Sequence, residues 1–159
     1  MQSRSEFRTA SPAAYQAMLG LETFIRKSRL EPSLIELVKM RASQMNGCAF
    51  CIDMHSKDAR AAGETEQRLY ALSAWRETPF FTDRERAALA WTEAVTFITE
   101  GQVPDALYEE TRQHFPEEEL VNLTMAVVTI NGWNRLAIAF RSVPGDYQPA
   151  SLTAAGAKQ

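Results

Sequence analysis

The 159-residue chain is predicted to be an all-α protein on three observations. Apolar residues recur mostly at the three- and four-residue spacing of a single helix face. No segment shows the sustained apolar–polar alternation of a half-buried strand, and no Asn-Gly pair joins two β-branched runs as a hairpin turn would. Glycine and proline, seven of each, fall between the periodic segments, where helices are expected to end.

Four of the seven or eight predicted helices lie in the first half of the chain. Ser11 as N-cap and Pro12 in the first turn are typical of a helix start. Gly47 and Gly63 are typical of helix C-termini and close the second and third helices. The predicted ranges are about 11–28, 33–46, 48–62 and 65–77.

Three further helical patterns occupy the second half. Thr82 and Glu85 have the spacing of a capping box, which predicts a helix start. The last and longest pattern is predicted to be interrupted at Asn131–Gly132, because glycine there is typical of a helix break or a tight helix–helix turn. The predicted ranges are about 82–100, 104–114 and 117–141.

A weak internal repeat relates the two halves. Residues 34–51 align without gaps to residues 119–136, with three identities and agreement at most apolar positions. The alignment predicts a helix–Asn-Gly–helix unit used twice, each unit an antiparallel helical pair. Trp133 and Leu136 stand where the first copy has its cysteines, so one copy alone carries thiols.

Length and composition predict one domain over residues 1–159, with residues 144–159 a loose tail or an arm onto a neighbour. A net charge of −3 and a pI near 5.5 argue against nucleic acid as a partner, since neutralising phosphates needs a basic surface. The sequence has no apolar run of the length that crosses a bilayer and no signal-peptide h-region. A cytoplasmic protein without a membrane partner or a cofactor is therefore expected.

Both cysteines lie in one short segment, NGCAFCIDMH, at positions 46–55. Spacings of three and four residues place Cys48, Cys51 and His55 on one helical face. In the cytoplasm such a close pair is more often catalytic or metal-binding than structural. The first turn of a helix favours a thiolate, and a Cys-x-x-Cys pair there can close a disulfide.

His55 lies one turn below Cys51, where it could take the thiol proton, and Glu36 is the candidate partner that orients it. If the two helices pack antiparallel across the glycine hinge, Glu36 lies about three turns from the hinge and His55 about two. The alternative is that Glu36 only completes a capping box with Ser33. Glu36 belongs to a narrow polar stripe on an otherwise apolar helix, formed with Lys39, Ser43 and Asn46.

Zinc binding is the alternative interpretation of the cysteine stripe. Cys48, Cys51 and His55 would supply three ligands, whereas a structural zinc site uses four. The other histidine, His114, belongs to a distant acidic stretch and is expected at the surface.

The chain also shows a family resemblance. The pattern E-x11-C-x-x-C-x-x-x-H is filled by Glu36, Cys48, Cys51 and His55 and resembles the active-site signature of the AhpD-like alkylhydroperoxidases, members of the carboxymuconolactone decarboxylase family. The stretch NGWNRLAIAF is also similar to one common in that family, and the likeness spans roughly residues 20–141. It implies an AhpD-like helical bundle that forms a homo-oligomer, a trimer or a hexamer rather than a dimer.

The resemblance further implies a thiol-dependent peroxidase. Cys51 would attack a hydroperoxide, Cys48 would close the disulfide, Glu36 and His55 would relay protons, and an external dithiol or thiol protein would reset the pair. Helix-terminus electrostatics instead favours Cys48 as the thiol of lower pKa, and Cys48 is expected to be the more exposed of the two. Phe50 stands where AhpD itself has a histidine. The runner-up is a general thiol–disulfide oxidoreductase or redox sensor.

Overall fold

The computed structural model describes residues 2–149. Over this range the chain contains nine α-helices, one 3-10 helix and no strand, in agreement with the predicted all-α class. The helices are α1 (Phe7–Ala10), α2 (Pro12–Lys27), α3 (Pro32–Asn46), α4 (Ala49–Ala61), α5 (Glu66–Ala71), the 3-10 helix (Leu72–Glu77), α6 (Asp83–Thr96), α7 (Ile98–Gly101), α8 (Asp105–Arg112) and α9 (Glu117–Phe140).

None of the helices between residues 2 and 149 combines the length and the hydropathy needed to cross a membrane.

Helix α3 lies at the centre and packs against α4, α6 and α9. One of its faces joins the main apolar cluster, and another joins a second cluster with the 3-10 helix. Because α3 is apolar on most sides and buried among neighbours, its few polar side chains have to find partners on those neighbours. The buried apolar residues of α3 are Leu34, Ile35, Leu37, Val38, Met40 and Ala42.

The turn between α3 and α4 is as tight as the sequence predicts. Gly47 adopts a left-handed backbone with φ of +66°, the usual conformation of a glycine after a helix. The amide of Gly47 donates to the carbonyl of Gln44, and the amide of Cys48 donates to the carbonyl of Ser43. These are the two hydrogen bonds of a Schellman motif, so the C-cap of α3 and the N-cap of α4 are adjacent residues, Gly47 and Cys48.

The predicted interruption at Asn131–Gly132 is wrong, because α9 runs without a break from Glu117 to Phe140. A glycine inside a helix costs only about 1 kcal/mol, and packing can outweigh that cost. Here the missing side chain leaves room for α2: a Cβ on Gly132 would lie 2.9 Å from Met18 Cε. The two copies of the repeat therefore differ, since the first bends at its Asn-Gly pair and the second does not.

Two other predicted helices are each divided. The pattern over 65–77 becomes α5 and the 3-10 helix, with a non-helical backbone at Ala74. The pattern over 82–100 begins with the predicted capping box of Thr82 and Glu85, but α6 ends at Thr96 and α7 follows.

The first part of the predicted loose tail is held against the helices. Residues 144–149, which we call the C-terminal segment, lie along α4, where Lys57 donates hydrogen bonds to two of their backbone carbonyls. The rest of the predicted tail, residues 150–159, lies outside the described part of the chain.

Two glycines offer a matched test of the hinge. Gly47→Ala should lower the free energy of unfolding by about 1 kcal/mol, since an L-residue strains a left-handed backbone. Gly20→Ala, at an exposed helical position with open space around it, should instead raise the free energy of unfolding by up to about 1 kcal/mol. Urea unfolding of both variants measures the difference, and equal effects would contradict a special role for the hinge.

Candidate active site

The two cysteines form a close, buried pair at the start of α4. Cys48 is the N-cap residue and Cys51 lies in the first turn. Both thiols are free, their Sγ atoms are 2.7 Å apart, and each residue is only 1% exposed. The sulfurs of a disulfide are about 2.05 Å apart, so closing the bond requires only a small local approach.

The expected exposure of Cys48 is wrong. The turn at Gly47 folds α4 back against α3 and α9, so both sulfurs enter a small apolar cluster. That cluster contains Ala42, Ile130 and Ala137, with the partly buried Phe50 and Trp133 packed against it. The side chain that replaces the histidine of AhpD thus serves as apolar packing next to the thiols.

The pKa values of the two thiols are shifted in opposite directions. The hydrogen bond with Cys51 lowers the pKa of Cys48 to about 7 despite the opposing effect of burial, and the amides of Cys51 and Phe50 contribute in the same direction. The same hydrogen bond, together with burial, raises the pKa of Cys51 above its ordinary value. In the reduced pair the thiolate therefore lies on Cys48, as helix-terminus electrostatics predicts, and Cys51 keeps its proton.

Glu36 and His55 are in direct contact, as their spacing predicts. His55 Nδ1 lies 2.9 Å from Glu36 Oε2, and the two side chains are 5% and 24% exposed. Burial works against ionisation of Glu36, but the hydrogen bond and charge of His55 outweigh it, so the pKa of Glu36 is lowered. An ionised carboxylate only accepts hydrogen bonds, so Nδ1 of His55 carries a proton that it donates to Glu36.

The capping interpretation of Glu36 is wrong. Helix α3 begins two residues earlier than that interpretation requires, with Glu31 instead of Ser33 as N-cap and Pro32 in the first position. The Glu36 carboxylate points across to α4, where the imidazole of His55 holds it.

Within the described residues, the side chain of His55 forms its hydrogen bond with Glu36 and none with Cys51. The carboxylate–imidazole pair and the thiol pair are therefore separate units on one face of α4.

A polar seam fixes the thiol pair from the α3 side. Asn46 Nδ2 donates to Asn131 Oδ1 at 3.0 Å and to Asn134 Oδ1 at 2.9 Å, and Asn134 Nδ2 donates to Ser43 Oγ at 3.1 Å. The amide of Asn134, a fully buried residue, also lowers the pKa of Cys48. Sequence reasoning missed Asn134, although its three-residue spacing from Asn131 in an apolar helix was a usable signal.

The remaining charge of the α3 stripe is also paired inside the protein. Lys39 Nζ lies 2.6 Å from Glu22 Oε2, and both side chains are nearly buried. Trp133 Nε1 donates to the other oxygen of Glu22 at 2.9 Å. Glu22 thus links α2, α3 and α9 next to the thiol cluster.

The geometry does not favour zinc at the cysteines. In the described part of the chain, one group of three possible ligand atoms lies within 4.8 Å of one another. These atoms come from Glu36, His55 and Asp58, and the group contains no cysteine sulfur.

A surface cavity of about 300 Å³ opens beside Glu36. Its lining includes Glu36 and Arg68 but neither cysteine and not His55. Solvent can therefore reach the carboxylate end of the Glu36–His55 pair from a cavity that neither sulfur borders.

The chain is similar to a described protein family and to a bacterial relative. The family model described as the carboxymuconolactone decarboxylase family matches residues 12–94. The uncharacterised protein YdfG of Bacillus subtilis is 45% identical over 139 residues, which cover 87% of this chain and 95% of YdfG.

Two solved structures are similar to this chain in fold. A protein of unknown function from Agrobacterium tumefaciens, named as a candidate antioxidant defence protein AhpD, is 46% identical, with a TM-score of 0.89 over 92% of this chain and 100% of that one. A peroxidase-related protein from Ralstonia eutropha, described as an alkylhydroperoxidase AhpD core, matches with a TM-score of 0.78 over 88% of this chain and 75% of that one. At 19% identity that match shows the shared fold alone.

The coupled thiols predict a measurable titration. Thiolate absorbance of the reduced protein should rise with one midpoint near the pKa of Cys48, about 7. Cys51→Ala removes the hydrogen-bond partner and should raise that midpoint towards about 8.5, the value of an ordinary thiol. Cys48→Ala leaves Cys51 alone and should show no thiolate near neutral pH. An unchanged midpoint in Cys51→Ala would assign the low pKa to the helix terminus instead.

Proposed function

The chain belongs to the carboxymuconolactone decarboxylase family and has the AhpD-like fold, and we propose that it is a thiol-dependent peroxidase. The observation that carries the proposal is the buried pair of free thiols, one of them with a lowered pKa, on the same helix face as a histidine held by a buried carboxylate. The substrate would be an organic hydroperoxide or hydrogen peroxide. The alternative, a general thiol–disulfide oxidoreductase or redox sensor, would use the same pair.

Burial of the sulfurs favours the peroxidase over the alternative. Both cysteines are 1% exposed, so a small hydroperoxide can reach them with less rearrangement than a protein disulfide requires. The reductant meets the same barrier, and we propose that an external dithiol or thiol protein reaches Cys48 past Phe50 and Trp133. A reducing compartment such as the cytoplasm would supply it.

The first step would transfer one oxygen atom to sulfur. Following the family resemblance, Cys51 attacks the peroxide as its proton passes to the Cys48 thiolate 2.7 Å away. The O–O bond breaks, Cys51 becomes a sulfenic acid, and the leaving alkoxide takes a proton to become an alcohol. The peroxide would lie between the thiols and His55, which places the Glu36–His55 pair where that proton is needed.

The second step would close the disulfide. The Cys48 thiol attacks the sulfenic sulfur of Cys51, the S–S bond forms, and hydroxide leaves with a proton as water. The pair has then lost two electrons and the hydroperoxide has gained them. Two thiols of the reductant return them by exchange through a mixed disulfide.

Peroxide turnover with a dithiol reductant tests the proposal, with cumene and tert-butyl hydroperoxide as substrates. Cys48→Ser and Cys51→Ser should each abolish turnover, since neither can form the disulfide. A sulfenic-acid trap applied to each variant should label Cys51 in Cys48→Ser. If the trap labels Cys48 in Cys51→Ser and labels nothing in Cys48→Ser, the two roles are reversed. Full turnover in Cys51→Ser would contradict the mechanism.

Glu36→Gln tests the proton relay, because glutamine keeps the shape of the side chain but loses its charge. Loss of a general acid–base group should lower kcat/KM about 100-fold or more. Glu66→Gln, at an exposed site on α5, removes the same charge and should leave kcat/KM unchanged. Rapid reaction with disulfide substrates but not with peroxides would favour the oxidoreductase alternative.

We also propose a homo-oligomer, a trimer or a hexamer, supported by apolar side chains left at the surface. Val121 and Val128, seven residues apart on α9, are 57% and 47% exposed, and Phe24 on α2 is 47% exposed. Light scattering coupled to size exclusion measures the mass in solution. Val121→Asp with Val128→Asp should produce smaller species if α9 forms the contact, and a monomeric parent protein would refute the assembly.

A further inference from the structure

Asp58 is a second carboxylate beside the imidazole of His55. It follows His55 by three residues on α4, so both side chains lie on one helix face. Carboxylate oxygens of Glu36 and Asp58 and a ring nitrogen of His55 lie within 4.8 Å of one another. The four-residue signature of the resemblance does not include Asp58, and the peroxidase mechanism above gives it no task.

Tyr147, from the C-terminal segment, holds Asp58. Its hydroxyl donates to Asp58 Oδ1 at 2.7 Å. Burial, then the hydrogen bond to Asp58, raises the pKa of Tyr147 to about 12, so near neutral pH the phenol is a permanent donor. The hydroxyl of Tyr147 therefore restrains the carboxylate of Asp58 from the side of the C-terminal segment.

The C-terminal segment is also fixed to α4 by Lys57 and Asp53. Lys57 Nζ donates to the carbonyls of Gly145 at 2.9 Å and Tyr147 at 3.1 Å, and the amide of Gly145 donates to Asp53 Oδ2 at 3.0 Å. Three further hydrogen bonds thus set the position from which Tyr147 reaches Asp58.

We propose that Asp58 and Tyr147 are positioning residues that extend the Glu36–His55 pair into a four-membered proton network. Asp58 would stabilise the imidazolium form of His55 from a second side, and Tyr147 would keep the Asp58 carboxylate within reach. The catalytic use of this network rests on the proposed peroxidase function, whereas its effect on the protonation of His55 does not.

The charges around His55 come from every element packed there. Glu36 and Lys39 come from α3, Asp58 from α4, and Tyr147 from the C-terminal segment. Arg26 of α2 is close enough to affect both Glu36 and Tyr147.

Asp58 acts on His55 at short range, because a carboxylate oxygen of Asp58 lies within 4.8 Å of a ring nitrogen of His55. Opposite charges within about 4–6 Å favour the charged form of a titrating group. Removing the charge of Asp58 would therefore lower the pKa of the imidazole, while the phenol of Tyr147 acts only through the carboxylate it holds.

Imidazole NMR titration of the reduced, full-length protein tests the network without any turnover. The chain has two histidines, so His114 on the far side of the sequence is an internal reference. Asp58→Asn should lower the pKa of His55 by about one unit, the lower end of the range for a close charge. Tyr147→Phe should lower it by less, and the double variant should match Asp58→Asn. All titrations contain EDTA, so that bound metal cannot mimic the effect.

Asp53→Asn is the matched control. Asp53 also lies on α4 and also holds the C-terminal segment, but it does not belong to the group of atoms that converge on His55. It should leave the pKa of His55 unchanged, because the side-chain oxygen of asparagine can still accept from the Gly145 amide and keep the C-terminal segment in place. Equal shifts in Asp53→Asn and Asp58→Asn would overturn the proposal. The shift would then come from the loss of any negative charge on α4 or from a displaced C-terminal segment. A full Tyr147→Phe effect in the Asp58→Asn background would overturn the positioning role of Tyr147.

Failure of the proposed function gives a different result. If the protein reduces no peroxide, turnover is absent in the parent chain while the His55 shift in Asp58→Asn persists. If both proposals hold, the pH profile of kcat/KM moves in Asp58→Asn by the shift that NMR measures.

Discussion

Polar side chains on a buried helix must be hydrogen-bonded by its neighbours, and this constraint on α3 organises the site. An unpaired polar group in an apolar interior costs roughly 1–3 kcal/mol. Over residues 2–149, every buried side-chain nitrogen and oxygen has a partner. Glu36 meets this need on α4, Lys39 on α2, and Ser43 and Asn46 on α9. The stripe that carries the candidate chemistry therefore also sets how the four helices fit together.

The thiol pair combines the charge effect of a helix start with the protection of a core. At the N-cap of α4 the anionic form of Cys48 is favoured by free amides and by the thiol of Cys51. The surrounding apolar side chains keep bulk water and large reagents away from the sulfurs. Low pKa and low exposure seldom occur together, since reactive cysteines are generally partly exposed. Here both occur in one pair, because the hydrogen bond between the two sulfurs lowers the pKa of Cys48 inside the core.

Solvent reaches the carboxylate–imidazole contact from a cavity that neither cysteine lines. Glu36 borders this cavity, whereas the side chain of His55 is nearly buried and does not line it. The C-terminal segment also contributes to this region, because the hydroxyl of Tyr147 donates to Asp58. The polar surroundings of His55 thus come from two helices and an irregular segment.

The sequence by itself determined the all-α class, most helix boundaries and the Glu36–His55 contact. These follow from local geometry: helical periodicity places the cysteines and His55 on one face, and a left-handed glycine returns α4 along α3. Tertiary structure alone decided the rest. Gly132 lies inside a continuous helix because α2 packs against it, Cys48 is buried because α9 covers it, and Asn134, Asp58 and Tyr147 gain their roles from partners on other elements. Spacing along one chain carries no information about how closely two remote segments approach, and that distance sets both burial and charge.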